Sequence, residues 1–84
     1  MPLNKFYKKQ YTKEECNECF QWFEEHMAQL PQQLEIQSLS FFDIPFMVKR
    51  NLIILRKTMP DNTTFNGQFA LLLMLRDELK KQGL

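Results

Sequence analysis

The sequence predicts an all-α fold, a small three-helix bundle with a short extended connector between helices 1 and 2. Three observations predict it. Apolar residues recur at helical spacing over about residues 12–30, 43–59 and 64–81. Each of these stretches opens on a capping residue and closes at Pro or Gly. Gly is scarce, at two in 84 residues, which argues against a loop-rich or all-β chain.

The first helix has the clearest start. Thr12 is placed as N-cap and Glu15, three residues on, completes a capping box. Tyr11 and Cys16 have the spacing of a hydrophobic staple. The apolar stripe then reads Cys16, Cys19, Phe20, Phe23, Met27 and Leu30, and Pro31 stops the helix. Upstream, residues 1–11 show no period and read as an arm or extended segment, from which Leu3, Phe6 and Tyr7 can pack onto the body.

Residues 31–42 ("PQQLEIQSLSFF") alternate briefly at Leu34 and Ile36. One short strand with no visible partner does not make a sheet. The stretch reads as a loop pinned by Leu34, Ile36, Leu39 and Phe41.

Asp43 caps the second helix, with Pro45 in the first turn, where its missing N–H costs little. The helix runs to Met59 and ends before Pro60. Ile44, Met47, Val48, Leu52, Leu55 and Met59 share one face with Asn51, while Phe46 and Ile53 lie among Lys49, Arg50, Arg56 and Lys57 on the other. Pro60-Asp61-Asn62 is turn chemistry. Thr63 or Thr64 then caps a third helix ending near Gly83. Its stripe is Phe65, Phe69, Leu72, Leu75 and Leu79, and Leu71, Leu73 and Met74 widen it until mid-helix is apolar nearly all round. Two neighbours in so short a chain cannot cover such a helix on every side, which points to self-association as a homodimer. The expected core is Phe20, Phe23, Met27, Leu30, Val48, Leu52, Leu55, Phe69, Leu72 and Leu75.

The whole of 1–84 reads as one domain. Net charge is +1, but charge is segregated: residues 1–13 hold four Lys and no acid, and residues 14–25 five Glu and no base. The longest apolar run, residues 69–75, is seven residues, against roughly 20 for a bilayer-spanning helix. With no signal-peptide or lipidation pattern either, the reading is a cytoplasmic protein without a membrane partner.

Cys16 and Cys19 form a CxxC, but both lie inside the apolar stripe and no second pair accompanies them. Zinc wants four ligands, and a redox CxxC opens a helix instead of lying a turn inside one beside Glu15 and Glu18. Both cysteines therefore read as small hydrophobes. His26, the single histidine, stands about two turns from Cys19, too far for a hydrogen bond, and reads as an edge-of-core residue. No phosphate-loop, zinc-protease or hydrolase motif occurs. No catalytic residue, cofactor, metal or small-molecule substrate is assigned, and the chain reads as non-enzymatic.

What remains is interaction. The leading expectation is a small module that binds a protein partner or itself through helix faces, using Phe46, Ile53, Leu71 and Met74, apolar residues outside the main stripes. The alternative is a small nucleic-acid-binding domain using the arm lysines Lys5, Lys8 and Lys9 with Lys49, Arg50, Arg56 and Lys57.

Overall fold

A computed structural model describes residues 3–36, 38–58, 60 and 62–84. Met1, Pro2, Gln37, Met59, Asp61 and the Leu3 side chain lie outside that description. The expected packing of Leu3, the helix end at Met59 and the turn at Asp61 fall there too. The element order is α1 (Leu3–Phe6), α2 (Lys13–His26), a 3-10 turn (Met27–Gln29), β1 (Gln33–Ile36), β2 (Leu39–Phe42), α3 (Ile44–Arg56) and α4 (Thr63–Lys81).

The all-α three-helix expectation is wrong. Of the described residues 67% are helical, and a two-stranded antiparallel sheet accompanies the helices. The connector taken for a loop is that sheet: β1 pairs with β2 in a register running from Gln33↔Phe42 to Ile36↔Leu39. The missing partner strand lay within the same twelve residues. Two positions, 37 and 38, join the strands, and Ser38 takes φ 69, the left-handed conformation that short hairpin turns demand. No Asn-Gly or Asp-Gly pair announces the turn, and "LSFF" does not alternate. Leu34 and Ile36 point into the core, while Leu39 and Phe42 are exposed.

The helix starts follow their chemistry. Thr12 accepts from the Glu15 backbone N–H at 3.1 Å, and the Glu15 carboxylate accepts from the Thr12 N–H at 3.3 Å, so the capping box forms. Its last turn narrows to 3-10 at Met27–Gln29, short of the expected end at residue 30. Asp43 caps α3 from a left-handed backbone (φ 55), its side chain accepting from the Phe46 N–H. That conformation turns the chain sharply out of β2 into α3. Asn62, not Thr63 or Thr64, caps α4, accepting from the N–H groups of Thr64 and Phe65. At the far end Gly83 takes φ 106, and Leu84 N–H reaches Leu79 C=O while Gly83 N–H reaches Lys80 C=O. This is a Schellman cap, and Leu84 packs back onto the core as that motif favours.

The arm is also corrected. Residues Leu3–Phe6 are helical and α1 lies against α4. Tyr11, buried, donates its hydroxyl to the Phe6 carbonyl at 2.7 Å and accepts from the Lys8 N–H at 2.9 Å. From α4, Asn66 Nδ2 donates to the Lys9 carbonyl at 2.8 Å. The segment is thus strapped onto α4, with Phe6 packed on the core and Tyr7 exposed.

The core is one cluster built around α4, which packs on α1, α2 and α3. Fully buried Phe69 is its centre, meeting Tyr11, Phe20 and Phe65 at ring-centroid distances of 4.7, 5.7 and 5.6 Å. Nine of the ten expected core residues are buried, and Met27 is half-buried at the edge. The apolar surplus of α4 is covered from within. Ala70, Leu72, Met74 and Leu75 are buried, and Leu71 and Leu73 are half-buried against the cluster.

Candidate functional site

The residue pattern of α3 divides the helix cleanly. Ile44, Val48, Leu52 and Leu55, spaced by four, four and three, face the core. The same helix carries a second, outward stripe. Phe46 is 62% exposed and Ile53 51% exposed, with Ile54 exposed beside them. Lys49 and Arg50 stand one turn after Phe46 and one turn before Ile53 and Ile54. These five side chains line a shallow cleft of about 340 Å³. A second groove of about 390 Å³ lies alongside, sharing Lys49 and Ile53 and walled on its far side by Glu24, Met27, Leu52 and Arg56. Lys49 and Ile53 therefore form a ridge between two depressions.

Of the four apolar residues expected to bind a partner, the structure brings Phe46 and Ile53 together on this surface and separates the other two. Met74 is 4% exposed and packs in the core, where it lines a different cleft with Lys5, Phe6 and Glu35. Leu71 is half-buried on α4, packed against the cluster. Helical period alone does not show this burial, because α4 meets three neighbouring helices and not two. The sequence reading missed Ile54, whose signal was its spacing of eight from Phe46 and four from Arg50. Phe42, 68% exposed at the end of β2, lines a separate groove on the hairpin with Gln33, Glu35 and Phe41 and is not part of this cleft.

The seven cations of the nucleic-acid alternative are divided among several environments. Arg56 pairs with Glu24 across α2 and α3, and its guanidinium sits 5.7 Å from the Phe20 ring centroid. The acidic helix and the basic helix thus meet within one chain. Lys8 pairs with Glu15 at 2.9 Å, and that bond together with the Thr12 N–H holds the Glu15 carboxyl below its usual pKa. Lys5 lines a different cleft, of about 310 Å³, with Glu35, Asp77 and Glu78. The Lys9 side chain is exposed on the strapped segment. Lys49, Arg50 and Lys57 remain exposed along α3, with no carboxylate in ion-pair range among the described residues.

The cysteines and histidine are accounted for by packing. Cys16 and Cys19 are free thiols in the core. Burial raises the Cys16 thiol, with Glu15 adding to it, and burial pushes Cys19 up to about 12 against the opposing pull of Arg76. His26 is half-buried, stacked on Trp22 at 4.2 Å, and its Nδ1 lies 2.7 Å from the Trp22 carbonyl. A carbonyl only accepts, so Nδ1 carries the proton. Among the described residues no group of three or more His, Cys, Asp or Glu is placed to hold a metal. No helix among them is long and apolar enough to cross a membrane. Comparison with protein-family models, curated proteins and solved structures gives no match.

Proposed function

We propose that this chain is a non-enzymatic interaction module that presents the outer face of α3 to a protein partner. The observation that carries the reading is the exposure of Phe46 and Ile53 astride a groove on a helix whose other face is already committed to the core. Single exposed apolar residues are ordinary; three at helical spacing that line one concavity support the reading of an interaction surface. Two buried free thiols suit a reducing compartment, and the proposal places the module in the cytoplasm.

Site-specific photo-cross-linking tests it. A benzophenone amino acid replaces Phe46 or Ile53 in the source cells, with exposed Gln21 on α2 as control. The proposal expects discrete higher-mass adducts at 46 and 53 that are missing at 21. Identical adduct patterns at all three positions, or none at 46 and 53, would refute it.

A further inference from the structure

We propose that the α3 face is shaped for an acidic amphipathic helix of another protein. This rests on the reading just given and specifies the chemistry of the partner. Phe46, Lys49, Arg50, Ile53, Ile54 and Lys57 recur at intervals of 3, 4, 7, 8 and 11, a straight stripe along three turns, about 16 Å at 1.5 Å per residue. The two grooves flanking the Lys49–Ile53 ridge are the relief into which the side-chain ridge of a second helix packs.

Charge selects among possible helices. The cleft between Phe46 and Ile54 is lined by two cations and no carboxylate. The single acid in the neighbouring groove, Glu24, is already paired with Arg56. Lys49 and Arg50 thus flank the apolar residues, and with Lys57 at the helix end they carry positive charge that no carboxylate among the described residues pairs. A partner helix with apolar residues on one face and Glu or Asp beside them would meet this surface with matching sign, gaining orientation and encounter rate. A second copy of the chain fits poorly. A two-fold interface on this face packs the same patch against itself, bringing Lys49 and Arg50 of both protomers into one interface to which the cleft contributes no carboxylate.

The test uses the full chain, isotopically labelled, and two synthetic helical peptides of about 16 residues, some four turns. Both carry the same Leu and Phe stripe; one fills the remaining positions with Glu, the other with Lys. The proposal expects the Glu peptide to move amide resonances along residues 46–57, with affinity falling about tenfold or more between low and high salt. The Lys peptide should bind at least about tenfold more weakly. The K49E/R50E variant should reverse that preference while keeping a dispersed native spectrum, and F46A/I53A should lose both peptides. Equal binding of the two peptides would overturn the acidic specificity and leave α3 as a docking face. Binding of neither would overturn it too, and cross-linking at position 46 then decides separately whether the face is used at all. Tighter binding to vesicles of phosphatidylcholine and phosphatidylserine, or to a DNA duplex, than to the Glu peptide would equally overturn it. So would a dimer that F46A/I53A dissolves.

Discussion

Cys19 shows most directly what burial does to a side chain in this molecule. It has no exposed surface, and the thiolate is the form that reacts, so the pKa of about 12 makes it inert near neutral pH. Cys16 is raised for the same first reason. Iodoacetamide at pH 7.5 should therefore modify both thiols only as fast as the protein opens, and rapidly in denaturant. Fast modification of the native protein would contradict the packing role. The pH sign follows. The unfolded thiol ionises near about 8.5, the folded one near about 12. Above about pH 8.5 the unfolded state thus releases a proton that the native state keeps, and this contribution to stability is lost as pH climbs toward the folded value. Urea midpoints should fall more between pH 7 and pH 10 in the wild type than in C19A. An equal fall would show that this thiol does not titrate as its burial requires.

Among the elements, α4 depends on a cap one residue upstream of where threonine statistics put it. Asn62 accepts two backbone N–H groups, so Asn62→Ala should lower stability by about 1 kcal/mol. Thr63→Ala, with an exposed side chain and no capping bond, should change it by less than about 0.5 kcal/mol. Chemical denaturation of the two variants checks the assignment, and the reverse order would contradict it. The same contrast explains how much of the fold could be read. Thr12 with Glu15, Asp43 with Pro45, and Gly83 are local signals that act within four residues, and each lies where the sequence places it. The hairpin was hidden because its evidence is pairwise: Leu34 reads as a strand residue only opposite Phe41, across a turn made by a serine. The arm was hidden because its anchor, Asn66, lies 57 residues away. Within the candidate site, Phe46 and Ile53 stood out as apolar residues among cations. The burial of Met74 comes from neighbours that periodicity cannot locate.

At the scale of the whole molecule, the question is where the apolar surplus of a small chain goes. Domains of this size cover their cores only partly, and the sequence suggested that α4 would need a second copy to cover it. The strapped α1 segment, α2 and α3 cover it instead. Of the surplus that remains exposed, Phe46, Ile53 and Ile54 share α3 with Lys49 and Arg50 in one cleft, while Tyr7, Leu39 and Phe42 are exposed elsewhere. On the proposal above, the α3 face disfavours its own copy and suits an acidic partner. The most direct test is the solution mass by light scattering across about a hundredfold concentration range, the span over which a weak self-association declares itself. The account predicts one protomer mass throughout, unchanged in F46A/I53A. A concentration-dependent dimer that this double substitution dissolves would contradict it, because the α3 face would then be closed by a second copy and not held for a different protein.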